Sequence, residues 1–517
     1  MADSTPMAAP APLQGTQLML GSVALALATF MNVLDTSIAN VSIPAISGDL
    51  GVSPNQGTWV ITSFAVANAI SVPLTGWLTQ RFGQVHLFVA SVVLFVFSSL
   101  LCGIAPNIQF LIAARILQGL VAGPMIPLSQ ALLLSTFPKH KSGMALAIWS
   151  ITTMVAPVIG PVLGGWISDN YTWPWIFYIN VPLGLLTAAI IWRLYRTRES
   201  MTRKLPIDTI GIALLVIWVG ALQITLDKGK ELDWFNSWEI LTLTAVAFIG
   251  FVFFLIWELT EKHPIVDLML FKHRSFWAGV IAFALAYGVF FGNLVVLPLW
   301  LQTQIGYTAT NAGLVMAPVG LLAILLSPLV GKYLTKWDLR WSATVGYLVF
   351  ALVFLLRSHF NTSVDAKTLM IPALLQGIPM ALFFVPLTAI ILSGLPPEKI
   401  PSASGLANFC RMLMGSFGSS IATTLWERRS SLHHAQLAES ANVFNPTFSQ
   451  ALQNINGPYI SPEQAQGLIE NNLSVQAGML GINDIFFGSA ILFIILIGFI
   501  WLSKPSGPAT VDTSAAH

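Results

Sequence analysis

Charged residues are scarce in this sequence, and their scarcity excludes most soluble folds. Lys, Arg, Asp and Glu make up only 9% of the 517 residues, whereas hydrophobic residues make up 55%. A soluble domain carries about 25% charged residues. The net charge is only +2, and no Lys/Arg-rich run is interleaved with aromatics, which excludes a nucleic-acid-binding protein. These features indicate a polytopic membrane protein.

Cysteine and catalytic motifs are equally sparse. Only two cysteines occur, Cys102 and Cys410, in apolar stretches of opposite halves of the chain, so no disulfide framework is predicted. The sequence has no nucleophile elbow, no phosphate-binding glycine loop and no His/Cys cluster with metal spacing. We therefore predict neither an enzyme nor a cofactor or metal.

Long apolar stretches dominate the chain, and fourteen of them approach the 20 residues needed to cross a bilayer. They lie near 18–43, 58–78, 86–105, 109–134, 143–167, 175–195, 209–226, 239–258, 276–301, 310–331, 341–357, 368–393, 402–426 and 482–503. An even number places both termini on one side. Sixteen Lys and Arg residues fall on that side and six, including Arg357, on the other, which predicts cytoplasmic termini.

An internal repeat divides the chain. The motifs 117–119 (LQG), 127–129 (PLS) and 142–145 (SGMA) return as 375–377 (LQG), 386–388 (PLT) and 404–407 (SGLA). The offset is eight helices, so helices 1 to 6 are predicted to repeat as helices 9 to 14. We predict a cytoplasmic tail at 1–17, six-helix bundles at 18–205 and 263–505, two inserted helices at 206–262, and a second tail at 506–517.

The segment 427–481 lies between the last two predicted helices, on the outer, periplasmic side. It is polar and contains helix-start signals. We predict a short helical periplasmic subdomain here; a flexible loop is the alternative.

Asp35 lies inside the first apolar stretch, where an ionisable group costs roughly 2.5–3.5 kcal/mol on insertion scales. With ~1.5 Å of rise per residue, Asp35 and Arg115 lie ~13 Å and ~9 Å from the same side of the membrane. We predict that they pair, because each charge then offsets the desolvation of the other. The sequence leaves open a static pair and a pair that breaks and reforms during proton-coupled transport.

Polar side chains at membrane depth, interleaved with aromatic rings, predict a substrate cavity. The predicted cavity residues are Asn32, Asn68, Gln118, Asn293, Gln376, Asn408, Arg411, Phe64, Tyr287 and Phe384. Arg411 has no acidic residue at comparable depth, so it is predicted either to attract anionic or carbonyl-bearing substrates or to bond a helix end or an amide. Each of the other polar residues, taken singly, also fits hydrogen bonding between helices.

Small residues recur every four positions in the fifth stretch, at Ala156, Gly160 and Gly164. This spacing allows close helix contact, and Pro157 and Pro161 bend a helix and free its carbonyls. We predict a hinge or a tight seam between the two bundles here.

Four motifs together resemble the fourteen-helix drug:proton antiporters of the major facilitator superfamily, and most closely the EmrB-type multidrug exporters. They are 34–44 (LDTSIANVSIP), 115–119 (RILQG), the antiporter motif with Gly160, Pro161, Gly164 and Gly165, and 173–182 (WPWIFYINVP). The resemblance covers essentially the whole chain. It implies an all-α major facilitator fold of two six-helix bundles plus two inserted helices, fourteen transmembrane helices in all.

One loop departs from the superfamily pattern. The stretch 76–83 (GWLTQRFG) keeps Gly76, Arg81 and Gly83, but Gln80 stands where the pattern has an aspartate. We predict that the cytoplasmic charge-relay latch assigned to this loop is weakened or rebuilt.

The resemblance implies proton-driven efflux of hydrophobic toxic compounds across the bacterial inner membrane by alternating access. It also implies a tripartite pump with a periplasmic EmrA-like adaptor and a TolC-like outer-membrane channel; we place the adaptor contact on the 427–481 subdomain. Uptake or uniport of a nutrient, and a non-transporting membrane scaffold, are the alternatives.

Overall fold

The computed structural model describes residues 13–138, 141–203, 206–333, 338–441, 448–450 and 462–504, which form helices and no strand. We number the long helical units in chain order. They are α1 (Gly15–Asp49), α2 (Trp59–Phe82), α3 (Gln84–Gly103), α4 (Ile108–Thr136), α5 (Ser142–Asn170), α6 (Trp175–Tyr195), α7 (Thr209–Lys228), α8 (Trp238–Thr260), α9 (Arg274–Thr303), α10 (Thr310–Lys332), α11 (Leu339–Arg357), α12 (Ala366–Leu392), α13 (Ile400–Ser440) and α14 (Pro462–Trp501).

Each predicted apolar stretch coincides with one of these helices, but not every helix is apolar enough to count as a membrane span. Over the described ranges, twelve pass a test of length and hydropathy, and α5, which is bent by 44°, makes a thirteenth. The exception is α13, whose Ser404, Asn408, Arg411 and Ser420 are buried against other helices. A helix that packs on protein rather than lipid keeps polar residues at its contacts. Hydropathy therefore supports twelve or thirteen of the fourteen predicted spans.

Helix contacts recur at an offset of eight helices. α1 packs on α5, α2 on α4 and α3 on α6, while α9 packs on α13, α10 on α12 and α11 on α14. The helices α7 and α8 pack on each other, and α7 also contacts α2. α5 contacts α10 and α12, and α4 contacts α13, so these helices join the first six helices to the last six.

The predicted subdomain at 427–481 is built largely from two helices that are longer than the apolar stretches. α13 continues to Ser440 and α14 begins at Pro462, so both run past their predicted ends near 426 and 482. The Nε2 atom of His433 in α13 lies 2.8 Å from Oδ2 of Asp484 in α14. Over its described residues the segment is helical and continues α13 and α14 beyond the apolar stretches.

Candidate functional site

A buried carboxylate is the centre of a polar network within the first six helices. Asp35 is only 2% exposed, and its Oδ2 accepts a hydrogen bond from Arg115 Nη1 at 2.5 Å. Its Oδ1 accepts from Gln118 Nε2 at 3.1 Å and from Asn180 Nδ2 at 2.9 Å. Gln118 Nε2 also donates to Ser99 Oγ at 2.8 Å. The carboxylate is therefore paired with a cation and receives three hydrogen bonds.

Arg115 is itself fully buried and is held on several sides. Its Nε donates to the Val60 carbonyl at 3.0 Å, and its Nη1 also donates to Gln118 Oε1 at 2.7 Å. The guanidinium carbon lies 4.2 Å from the ring centre of Phe64 and 5.5 Å from that of Phe177, within range of cation–π attraction. These contacts tie α4 to α1, α2 and α6.

The local sequence places these groups at one depth. α4 begins directly after Asn107, whose Oδ1 accepts a backbone N–H of the first turn at 2.9 Å. Arg115 lies two turns further on, and Gln118 follows three residues later on the same helix face. Asn180 begins the second segment of α6. Because Asp35 is almost inaccessible in this arrangement, it can exchange a proton with water only after these helices move apart.

A second polar site lies where α5 meets α9, α10, α11 and α12. It is a narrow cavity of about 20 Å³, which is room for one water molecule. Four of the predicted cavity residues line it, namely Tyr287, Asn293, Gln376 and Phe384. Thr153 and Pro157 of α5 line the opposite wall. A site for a drug-sized ligand has roughly 300–1,000 Å³, so the cavity must widen before it can bind one.

The first six and last six helices touch on both sides of this cavity. Towards the end of the bundle that carries the chain termini, Ser404 Oγ of α13 hydrogen-bonds to Gln130 Oε1 of α4. Towards the other end, Gly313 lies against Val162 of α5, such that a Cβ added to the glycine would come within 2.8 Å of the valine. Contacts between the two sets of helices thus lie on both sides of the cavity.

Arg411 lies outside this cavity and has partners. Its Nε donates to Asn408 Oδ1 at 3.2 Å, and its guanidinium carbon lies 4.6 Å from the ring centre of Tyr287. Asn408 in turn donates to the Ser404 carbonyl at 2.8 Å. The amide contact is therefore the alternative that the structure shows for Arg411, rather than an unpaired cation facing the cavity.

Three further residues of the predicted cavity set contribute to helix contacts instead. Asn32 Nδ2 donates to the Ala122 carbonyl at 2.9 Å and joins α1 to α4. Asn68 is 5% exposed, and its backbone lies against Gly119 of α4. Phe64 belongs to the Arg115 contacts already described. The predicted set is therefore divided between two sites and the packing around them.

The glycines of the antiporter motif form a close seam between α5 and α1. A Cβ added to Gly160 would overlap Ser37, and one added to Gly164 would lie 3.0 Å from the Ile38 carbonyl oxygen. Gly165 has more room, with its nearest neighbour 4.0 Å away. The side chain of Pro161 lies outside the described part. The tight seam at these two glycines is therefore with α1, a helix of the same six, while Val162 of the same stretch lies against Gly313 of the last six helices.

The loop between α2 and α3 is anchored by an acid that the sequence analysis did not consider. Gly83 turns the chain with a φ of 86°, a conformation that favours glycine. Glu199, which follows α6, accepts hydrogen bonds from the backbone N–H groups of Val85 at 3.0 Å and His86 at 2.8 Å. Glu199 thus supplies an acid to this loop, in which Gln80 stands in place of the aspartate, and whether the latch is weakened or rebuilt stays a prediction.

The other two residues of this loop motif contact neighbouring side chains. A Cβ added to Gly76 would overlap Ser402, so α2 and α13 approach closely there. The guanidinium carbon of Arg81 lies 5.5 Å from the ring centre of Trp77.

Three residues of these sites were missed by sequence reasoning, namely Ser99, Asn180 and Arg357. Asn180 lies in the quoted 173–182 motif, so an estimate of depth for each polar residue of that motif would have identified it. Arg357 was assigned to the outer loops because it ends an apolar stretch. It is only 2% exposed and lines the cavity, which a hydropathy scan cannot reveal.

Comparison with known proteins agrees with this fold and these motifs. The sequence profile of the Major Facilitator Superfamily matches residues 25–419. The multidrug export protein EmrB of Escherichia coli (strain K12) is 50% identical over 507 residues, which cover 98% of this chain and 99% of that protein. The fatty acid resistance protein FarB of Neisseria gonorrhoeae is 49% identical over 494 residues, which cover 96% of this chain and 97% of that protein.

Two solved structures resemble the chain at 13% identity, which shows the fold alone. The proton:xylose symporter XylE has a TM-score of 0.59 and covers 95% of this chain and 97% of its own. The human organic anion transporter MFSD10 has a TM-score of 0.58 and covers 94% of this chain and 100% of its own.

Proposed function

The chain belongs to the Major Facilitator Superfamily as an EmrB-type transporter, and from that premise we propose that it exports hydrophobic toxic compounds in exchange for protons. The names of the relatives at 49–50% identity, multidrug export and fatty acid resistance, support substrates of this kind. The proposed substrate site is the cavity between α5 and α9–α12, once it has widened.

The observation that carries proton coupling is the sealed pair of Asp35 and Arg115. Protonation of Asp35 removes the negative charge that holds Arg115 at 2.5 Å, and a hydrogen bond between charged partners is about twice as strong as one between neutral groups. Because the pair joins α1 to α4, its protonation lets these helices separate, and release of the proton brings them together again.

Movement within the first six helices can change the substrate site, because α4 and α5 contact the last six. α4 contacts α13 and α5 contacts α10, so a shift of α1 against α4 and α5 changes the contacts between the two bundles on either side of the cavity. We propose that the bundles 18–205 and 263–505 rock against each other about the cavity, as alternating access requires.

The proposed location is the bacterial inner membrane, with both termini in the cytoplasm. The excess of sixteen over six positive residues supports this orientation. The extensions of α13 and α14 then face the periplasm, and we propose them as the contact for an EmrA-like adaptor that leads to a TolC-like channel.

The test is substrate-driven proton release from proteoliposomes containing Asp35→Asn. We expect this variant to insert into liposomes but to release no protons when substrate is added. Asp49→Asn is the matched control, because Asp49 lies on the same helix but is exposed at its end, where it accepts a hydrogen bond from Trp173 at 2.7 Å. Proton release by Asp35→Asn equal to that of wild type, or proton movement in the same direction as the substrate, contradicts the proposal.

A further inference from the structure

The last six helices contain a buried cation, Arg357, that forms no ion pair with a carboxylate of the described residues. Arg357 ends α11, is 2% exposed and donates from Nη2 to Gln376 Oε1 at 2.6 Å. Within the described residues it forms no ion pair, and its Nε has no hydrogen-bond partner. Burying a charge without a counter-charge costs several kcal/mol, so a site that retains one usually has a use for it.

This cation lines the cavity together with a second residue, Asn293, that also has one buried polar atom without a hydrogen-bond partner within the described residues. Arg357, Gln376 and Asn293 all line the cavity. Asn293 Nδ2 donates to Ser489 Oγ at 2.8 Å, whereas its Oδ1 has no hydrogen-bond partner in the described structure. Most of the other lining residues are apolar, and they include Leu297 and Met380. The cavity therefore combines a concentrated positive charge with an apolar surface.

The internal repeat shows which position in the second bundle lacks the acid that could neutralise Arg357. Asp35, Ser99 and Gln118 each have a counterpart 258 residues later, which are Asn293, Arg357 and Gln376. In the first bundle the buried arginine, on α4, is neutralised by the carboxylate at 35. In the second bundle the arginine is on α11, and the position corresponding to that carboxylate holds a neutral amide. At these three matched positions the first bundle thus carries an acidic residue, Asp35, and the second carries none.

We propose that Arg357, assisted by Gln376, binds the acidic head group of amphipathic substrates, and that the anion missing from the second bundle is supplied by the substrate. A guanidinium presents donors in a planar fork that matches a carboxylate, and such charge-assisted bonds are about twice as strong as bonds between neutral groups. The apolar tail lies along the wall that contains Leu297 and Met380. This proposal rests on the proposed export function and adds to it the residue that selects anionic substrates.

The experiment compares binding of dodecanoate and of its neutral counterpart dodecanol to the purified protein in nanodiscs. Loss of one charge-assisted contact corresponds to roughly tenfold to hundredfold weaker binding. We expect a loss of this size for dodecanoate in Arg357→Gln, a smaller loss in Arg357→Lys, and unchanged binding of dodecanol in both. Arg274→Gln is the matched control, since Arg274 is exposed at the start of α9.

A second variant tests the origin of the missing anion without removing the cation. Asn293→Asp places a carboxylate in the same cavity, as the first bundle has at position 35, so it should neutralise Arg357 and weaken dodecanoate binding by a similar factor. Because it adds a counter-charge to a buried cation, we expect its thermal stability to be no lower than that of wild type.

Three results overturn the proposal. The first is dodecanoate binding that is unchanged in both Arg357→Gln and Asn293→Asp. The second is an equal loss of dodecanoate and dodecanol binding in Arg357→Gln without recovery in Arg357→Lys, and the third is no binding of dodecanoate by wild type. Proton-linked export of a cationic dye by wild type distinguishes this failure from failure of the proposed function. If the dye is exported and the affinity for dodecanoate is unchanged in the Arg357 variants, the export function stands and the anion site is refuted.

Discussion

Removing the carboxylate of Asp35 should destabilise the protein as well as uncouple it, and the structure sets the size of the effect. Deleting one partner of a buried ion pair costs about 3–5 kcal/mol, because the other charge remains buried without compensation. In Asp35→Asn, Arg115 keeps the Val60 carbonyl, Gln118 and the ring of Phe64. We therefore expect a loss near the lower end, about 3 kcal/mol.

The double variant Asp35→Asn/Arg115→Gln separates the effect of Asp35 on the free energy of unfolding from its effect on proton-linked export. With both charges gone, no uncompensated ion remains, so the free energy of unfolding should return to within about 1–2 kcal/mol of wild type. Proton-linked export should stay absent, because the group that binds the proton is missing. The assay is equilibrium unfolding in mixed detergent micelles for all four members of the cycle, beside substrate-driven proton release from proteoliposomes.

Two results would refute this reasoning. Recovery of proton-linked export in the double variant would show that the pair is a static support and that another group carries the proton. An Asp35→Asn protein as stable as wild type would show that the 2.5 Å contact contributes little to holding Arg115.

Two other substitutions test the contacts around this site. Gly160→Ala should lower the free energy of unfolding by about 1–3 kcal/mol and reduce export, because the added Cβ overlaps α1. Glu199→Gln weakens the acceptor of two backbone N–H groups in the first turn of α3. It should cost about 0.3–1 kcal/mol and speed hydrogen–deuterium exchange at that turn.

Each of these substitutions has an internal control. Gly165→Ala adds the same methyl group on the same helix, where the nearest atom is 4.0 Å away, so equal effects at both glycines would argue against the close contact at Gly160. Glu398→Gln removes an exposed acid from a short helical turn and should leave exchange in α3 unchanged. Protection of the first turn of α3 that is the same in Glu199→Gln and wild type would show that Glu199 does not anchor the loop.

The membrane-spanning stretches and the buried charge pair depend on the insertion energy of individual residues, so both could be predicted from the sequence. The cost of inserting charge into a bilayer marks apolar stretches and makes Asp35 and Arg115 stand out inside them. The same cost predicts that the two charges meet, which they do at 2.5 Å. The repeated motifs indicate helices related at an offset of eight, the offset at which the helix contacts recur.

The sequence alone thus determined an all-helical membrane protein of the major facilitator type with one buried ion pair, because insertion energy and helical periodicity depend on local composition. Only the tertiary structure decided how each helix is rotated about its axis, which depends on contacts between residues far apart in the chain. That rotation turns Gly160 towards α1, places Arg411 of α13 over the ring of Tyr287 in α9, and brings Arg357 from an apparent loop into the cavity beside Asn293.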